Sequence, residues 1–104
     1  MTVQETLRKS KGVLQAHYGS KLKGLMFYGS LARGKGEPGS DIDLLVLLDE
    51  PFDYFRELRR IVDLLYPIQL QTDRLISAMP ASASDFEHGS IELYRSAQRE
   101  GQRM

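Results

Sequence analysis

The order of hydrophobic and polar positions divides the chain into alternating helical and extended segments. Thr2 followed three residues later by Glu5 is typical of a helix-capping box, and apolar residues then recur at helical spacing as far as Gly19. A short apolar and aromatic run, residues 25–28, is stopped by Gly29, as expected of a buried strand. The pattern therefore predicts a first helix followed by a first strand.

The middle of the chain contains a second strand and a further helix. After a short helix that begins at Gly29, residues 35–40 have the Gly and Pro content of a loop. Residues 42–48 are almost continuously apolar, which leaves no solvent-exposed face, so we expect a strand covered on both sides. Asp53, in a capping position, then precedes an amphipathic helix that ends before Pro67 and packs its apolar stripe on the sheet. The stripe consists of Phe55, Leu58, Ile61, Val62 and Leu65.

The last third of the chain follows the same rules. Residues 68–72 alternate apolar and polar, which predicts a strand with its apolar side chains inward and its glutamines outward. Residues 77–84, rich in Ala and Ser, are the most loop-like stretch, and a final helix runs from about Ser90 to Gly101. This element order predicts an α+β (mixed α/β) fold, with helices packed on a small mixed β-sheet.

Composition narrows the class of protein. With 104 residues, 41% of them hydrophobic, the chain is predicted to form one globular domain over residues 1–104. The absence of cysteine excludes disulfides, a thiol nucleophile and a Cys-based zinc site. No apolar run approaches the roughly 20 residues that span a bilayer, and no signal peptide is evident, so we expect a cytoplasmic protein with no membrane partner.

The charge balance bears on the kind of ligand. Fourteen basic and fourteen acidic residues give no net charge, which argues against general electrostatic binding of nucleic acid. Any anionic ligand must therefore be held by a local group of residues.

Two aspartates at the start of the second strand are the strongest chemical signal. Asp41 and Asp43 are two residues apart, so on a strand their carboxylates project side by side, about 6.5 to 7 Å apart. Carboxylates at that distance repel unless a cation lies between them, and such hard oxygen ligands suit Mg²⁺ or Mn²⁺. The alternative, a solvated strand end, would leave Asp43 in an apolar strand with no partner for its charge.

A second group of residues, upstream of the aspartates, suits an anion. Gly29 permits close approach of the backbone, and Ser30 offers a hydroxyl and an N–H at the start of a short helix. Arg33 can reach a phosphate with its guanidinium, and Lys35 is near enough to assist. Together the two groups predict a phosphate cradle that faces a metal site.

These residues resemble a known signature. Residues 28–34 (YGSLARG) and 40–46 (SDIDLLV) look like that of the DNA polymerase β-like nucleotidyltransferase superfamily, and are most similar to its minimal nucleotidyltransferases. The resemblance implies the nucleotidyltransferase fold and transfer of a nucleoside monophosphate, AMP from ATP above all, to a hydroxyl. It also implies that Gly29, Ser30 and Arg33 contact phosphates and that Asp41 and Asp43 hold the metals.

The resemblance implies a third acid, on a later strand facing the first two. The strand predicted there carries amides at its outward positions, Gln69 and Gln71, and glutamine adds no negative charge and cannot act as a base. Asp73 is two residues beyond Gln71, so it would face the same side if the strand continues. Gln69, Gln71 and Asp73 are therefore the candidates for the third position.

The short chain lacks the extra helical lobe of larger superfamily members. The resemblance therefore implies a homodimer or a separate helical partner of the HEPN type, paired with the enzyme as toxin and antitoxin, whose tyrosine would receive AMP. A rival hypothesis is a catalytically silent module that binds and neutralises or scaffolds a partner. Modification of RNA or tRNA is favoured only if the arginine stripe of the last helix, Arg95, Arg99 and Arg103, faces the cleft.

Overall fold

A computed structural model describes residues 1–104. Helices and strands are interspersed along the chain. A turn of 3₁₀ helix, Gly19–Lys21, links the first two elements. In chain order, the elements are α1 (Val3–Tyr18), β1 (Leu22–Tyr28), α2 (Gly29–Ala32), β2 (Ile42–Leu48), α3 (Tyr54–Gln69), β3 (Ile76–Ser82), α4 (Ala83–His88), α5 (Glu92–Glu100) and β4 (Gln102–Arg103).

The four strands form one mixed sheet in the order β3-β2-β1-β4. β2 runs antiparallel to β1 and parallel to β3, and β4 pairs antiparallel with β1. The register places Tyr28 beside Asp43 and Asp43 beside Ser77. Because paired residues project to the same face of a sheet, these three side chains form one row across β1, β2 and β3.

Helices cover both faces of the sheet. The larger core lies between one face and helices α1 and α3, and the smaller core lies between the other face and helices α4 and α5. Every residue of β2 except Asp43 is buried. This arrangement confirms the predicted fold class and the prediction of a strand covered on both sides.

Local signals placed the helix starts correctly. The Glu5 backbone N–H donates to Thr2 Oγ1 at 3.1 Å, and the Thr2 N–H donates to the Glu5 carboxylate at 3.3 Å, so the capping box is formed. The Arg56 N–H donates to Asp53 Oδ1 at 3.0 Å, which caps α3 as predicted.

The predicted end of α3 was wrong, and so was the strand predicted over residues 68–72. The helix continues through Pro67, and the buried Ile68 lies on the same face as Ile61 and Leu65. Burying one such side chain contributes about 1.5–3 kcal/mol, which offsets the hydrogen bond that Pro67 cannot make near the helix end. The prediction that Phe55 and Val62 pack on the sheet was also wrong, because these side chains are 78% and 54% exposed.

The stretch predicted as most loop-like contains a strand instead. β3 pairs with β2 over its whole length, from Ile76 beside Ile42 to Ser82 beside Leu48. It is an edge strand, where proline is tolerated, so Pro80 does not break it. α4 and β4 were not predicted, and β1 begins at Leu22, three residues before the predicted strand over residues 25–28. None of the helices has the length and apolar content that a bilayer crossing requires.

Candidate functional site

The acidic pair lies at the start of the central strand. Asp43 is the half-buried second residue of β2, and the exposed Asp41 immediately precedes the strand. Burial raises the pKa of the Asp43 carboxyl above its usual range, and the charge of Asp41 adds to the increase. A cation between the two carboxylates would relieve both effects, so this donor set suits a divalent ion with a preference for oxygen ligands.

Gly29 brings its backbone against one of these carboxylates. It begins α2 with φ of +85°, and a Cβ atom added to it would overlap Asp43 Oδ2. Both facts disfavour a side chain at this position, because it would strain the backbone and displace the Asp43 carboxylate. Ser30 follows as a half-buried residue, so the Gly29–Ser30 backbone and the Asp43 carboxylate line the same small space.

Arg33 ends α2 and is tied to the C-terminal part of the chain. Its Nη1 donates to Glu100 Oε2 on α5 at 3.2 Å, with both side chains partly exposed. Lys35, predicted to assist, is exposed in the loop that follows. The structure therefore places the predicted phosphate contact Arg33 at the surface beside α2, held by an acidic partner.

Arg74 shapes the loop in front of the aspartates and was missed by sequence reasoning. Its Nη1 donates to the carbonyl oxygens of Ser40 and Glu37 at 2.9 and 3.3 Å. The loop is thereby fixed immediately before Asp41. No sequence motif marks Arg74, because the contact joins residues more than thirty positions apart.

The three candidates for a third acid do not lie on a strand. Both ends of the Gln69 amide are occupied, since Nε2 donates to the Arg74 carbonyl at 2.8 Å and Oε1 accepts from the Ile76 N–H at 2.7 Å. Gln71 accepts a hydrogen bond from Lys9 of α1, and Asp73 is exposed in the turn before β3. The prediction that a strand would project these side chains toward the aspartates was wrong.

The position beside Asp43 on the neighbouring strand belongs to Ser77. The structure contains no group of three His, Cys, Asp or Glu side chains placed to hold a metal ion. Two carboxylates and a hydroxyl are thus the side chains that this part of the sheet presents.

Comparison with known proteins identifies the family. The family model described as "Nucleotidyltransferase domain" matches residues 7–94. The chain belongs to this family.

Relatives of this nucleotidyltransferase domain occur in Methanocaldococcus jannaschii. One, named "Putative protein adenylyltransferase", is 29% identical over 86 residues, covering 83% of this chain and 80% of the relative. A second of the same name and organism is 37% identical over 67 residues, covering 64% of this chain and 65% of the relative.

Solved structures share the fold of the nucleotidyltransferase domain. A crystal structure of a toxin–antitoxin with AMP-PNP has a TM-score of 0.64 at 18% identity, covering 98% of this chain and 72% of that one. A mutant of the toxin–antitoxin MntA–HpeT has a TM-score of 0.59 at 16% identity, covering all of this chain and 72% of that one.

A groove with two tyrosines lies on the same side of the sheet as Asp43. We call it the tyrosine groove and define it by Glu50, Tyr54, Met79, Asp85 and Tyr94, which line a cavity of about 530 Å³. The Tyr94 ring packs against the buried Phe86, with centroids 5.9 Å apart. No sequence motif marks this groove, because its residues come together only through the packing of α3, α4 and α5.

Tyr28 lies beside Asp43 on the neighbouring strand of the nucleotidyltransferase domain. Burial raises the pKa of Tyr28 to about 12, with smaller contributions from the charges of Asp43 and Tyr54. Burial, Asp85 and Tyr54 likewise raise the pKa of Tyr94. Tyr54 therefore influences the pKa of both hydroxyls.

Proposed function

We propose that this nucleotidyltransferase domain transfers AMP from ATP to a hydroxyl group of a protein. The observation that carries the proposal is the contact between the Gly29 backbone and the Asp43 carboxylate, which puts a metal-binding acid and an anion-binding backbone in one space. The names of the two relatives, both protein adenylyltransferases, support AMP as the transferred group and a protein as the acceptor.

Each residue has a role in this proposal. Gly29 and Ser30 hold the β- and γ-phosphates through backbone N–H groups and the Ser30 hydroxyl, and Asp41 and Asp43 hold Mg²⁺ (or Mn²⁺). Divalent ions bound there would neutralise charge on the α-phosphate and on the leaving oxygen. Arg33 is paired with Glu100 through Nη1, and its other N–H groups remain to contact a phosphate when the nucleotide binds.

The reaction is an in-line displacement at the α-phosphorus. A bond forms between the acceptor oxygen and the α-phosphorus, and the bond from that phosphorus to the bridging β-oxygen breaks. Pyrophosphate leaves from the Gly29–Ser30 side, and the proton of the acceptor hydroxyl passes to water. The chain itself supplies binding, orientation and charge.

A helical partner of the HEPN type is the proposed acceptor, with a tyrosine as the modified residue. The two solved structures of similar fold are toxin–antitoxin proteins, which supports a toxin partner for this chain and an antitoxin role for the transfer. A homodimer is the other assembly that a chain of this size could use.

Transfer of label tests the proposal. The chain, Mg²⁺ and a HEPN-type partner are incubated with ATP labelled at either the α- or the γ-phosphate. We expect label in the partner from the α-position alone, and none with Asp43→Asn. Label that arrives equally from the γ-position would contradict nucleotidyl transfer.

A catalytically silent partner-binding module is the second candidate function. The observation that favours it is Ser77, a residue without charge at the strand position beside Asp43. Under this alternative, the double variant Asp41→Asn/Asp43→Asn still neutralises the toxin in a growth assay. Under AMP transfer, the same double variant leaves the toxin active.

A further inference from the structure

Helix α3 exposes an apolar stripe beside the face that packs on the core. Phe55, Val62 and Tyr66 are separated by seven and four residues, so their side chains lie on one side of the helix. Leu70 and Leu75 extend this stripe beyond the end of α3. We call these five residues the α3 stripe, and each of them is between 54% and 78% exposed. An exposed apolar surface of this extent is typical of an interaction site.

The two ends of the α3 stripe have complementary shapes. At one end, Phe55 is the most exposed member of the stripe. At the other end, a cavity of about 250 Å³ lies between α3 and β3, and Tyr66, Leu65, Leu75 and Ile76 are among its mostly apolar lining. We propose that a second copy of this chain docks on the α3 stripe, with Phe55 of each copy in the cavity of the other.

A twofold axis satisfies both contacts at once. Phe55 and Tyr66 are eleven positions apart in α3, which is about 16 Å along an α-helix. If two α3 helices pack antiparallel about an axis midway between these residues, Phe55 of each copy lies opposite Tyr66 of the other, beside the cavity. The same contact is then made twice, as in the isologous interfaces of most dimers.

The area of the α3 stripe is that of a dimer interface. A large apolar side chain presents about 150–250 Å² when fully exposed, so the five partly exposed members of the stripe present on the order of 500 Å². A specific interface buries about 800 Å² of each partner, and about 65% of a homodimer interface is apolar. The stripe therefore supplies the apolar area that one copy needs.

Charges at the rim of the α3 stripe are complementary in the same arrangement. Arg56 follows Phe55, and Asp73 lies two residues before Leu75. Arg56 and Asp73 are exposed, and neither takes part in an ion pair within the chain. When Phe55 enters the cavity of the other copy, it brings Arg56 toward Asp73 of that copy. The dimer therefore places opposite charges together at both ends of the interface.

The neighbouring edge strand is a poor surface for pairing two copies. β3 lies at the edge of the sheet, but Pro80 has no N–H and the Ile76 N–H already donates to Gln69. Strand pairing between copies would therefore lack two of its donors. Packing of one helix on another requires no free backbone donor, which favours the α3 stripe as the contact.

The α3 stripe lies away from the aspartate site. α3 packs on the sheet face that carries Ile42 and Leu44, whereas Asp43, between them, projects to the other face. A second copy on α3 therefore leaves the Gly29–Ser30 backbone and Asp43 open to a nucleotide. The dimer should form whether or not the chain transfers AMP.

Sedimentation velocity of the full chain tests the docking of a second copy. As concentration rises through the micromolar range, we expect the sedimenting mass to increase from one chain to two and to stop there. Phe55→Asp should raise the dissociation constant of the dimer at least about tenfold, because a charge replaces the ring that fills the cavity. Ile91→Asp is the matched control, since Ile91 is an exposed residue at another helix start, outside the stripe, and it should leave the dissociation constant unchanged.

An exchange of charges tests the relative orientation of the two copies. Arg56→Asp and Asp73→Arg should each weaken the dimer by about three- to tenfold, because both reciprocal pairs become repulsive. The double variant Arg56→Asp/Asp73→Arg should restore the dissociation constant of the parent. Circular dichroism should show the parent fold in all three proteins, because both positions are exposed.

A chain that stays monomeric at the highest concentration would overturn the proposal, and so would a dimer that Phe55→Asp leaves intact. Masses that keep growing beyond two chains would contradict the twofold arrangement. If a HEPN-type partner dissociates the dimer and fails to bind Phe55→Asp, the α3 stripe belongs to that partner and not to a second copy.

Discussion

Gly29 and Asp43 depend on each other although fourteen positions separate them in the chain. The positive φ of Gly29 turns the backbone from β1 into α2 and leaves no room for a Cβ atom beside Asp43. Glycine therefore satisfies a backbone requirement and a spatial one at the same residue.

Replacing Gly29 should damage stability and the site together. We expect Gly29→Ala to lower the free energy of unfolding by more than the roughly 1 kcal/mol of backbone strain, because its methyl group also displaces the Asp43 carboxylate. Gly34→Ala is the matched control, since Gly34 has φ of +74° but no atom within 4 Å of an added Cβ.

Urea unfolding and AMP transfer, measured on both glycine variants, check this prediction. Gly34→Ala should show the strain alone and keep transfer. A Gly29→Ala protein with the stability and activity of Gly34→Ala would show that the contact with Asp43 is unimportant.

Without added Mg²⁺, the charge of Asp43 should lower the stability of the protein. The pKa of Asp43 is raised on folding, so its stability contribution is most favourable when the carboxyl is protonated and falls as pH rises through the raised pKa. At neutral pH, Asp43→Asn should therefore unfold at a higher temperature than the parent. The gain should be less than about 1 kcal/mol, because solvent screens this partly exposed group.

Thermal unfolding followed by circular dichroism measures that gain. The difference should disappear at acid pH, below the unfolded pKa, where both side chains are neutral. Added Mg²⁺ should stabilise the parent and leave Asp43→Asn unchanged, and Asp63→Asn serves as a neutralised control away from the site. If Asp43→Asn is less stable than its parent at neutral pH, the charge of Asp43 does not destabilise the folded protein and the prediction is contradicted.

At the scale of elements, local signals predicted α1, β2 and the start of α3. The capping residues and the apolar run of β2 act through neighbours in sequence, so they can be recognised without the fold. The end of α3 and the identity of β3 depend on contacts between distant residues, namely Ile68 with the core and β3 with β2. Alternation alone could not distinguish the last turn of a helix from a strand.

Gln69 was predicted on a strand, but it ends α3, and its amide binds the backbone of the segment that leads into β3. Gln69→Ala should lower the free energy of unfolding by about 1–3 kcal/mol, because the partly buried Ile76 N–H and Arg74 carbonyl both lose their partner. Gln71→Ala, which removes only an exposed bond to Lys9, should have a small effect.

Chemical denaturation and Mg²⁺ titration of the two glutamine variants check this structural role. Neither substitution should change Mg²⁺ affinity. A loss of affinity in Gln69→Ala without a loss of stability would restore Gln69 as a metal ligand.

In the whole molecule, some residues of the candidate site are close together in the sequence and others are far apart. The motif over residues 28–46 is compact, so sequence alone identified Gly29, Ser30, Asp41 and Asp43 as one group. Ser77 and Arg74 join that group through strand pairing and a hydrogen bond to the loop before Asp41. A single sequence contains no local signal for such contacts.

The products of ATP turnover test the proposed transfer of AMP by the Asp41–Asp43 site most directly. The chain is incubated with Mg²⁺, ATP and a HEPN-type partner, and the released phosphate species are separated. We expect one pyrophosphate for each AMP attached to the partner, and neither product with Asp43→Asn. Release of ADP and inorganic phosphate, or unchanged AMP attachment with Asp43→Asn, would contradict it.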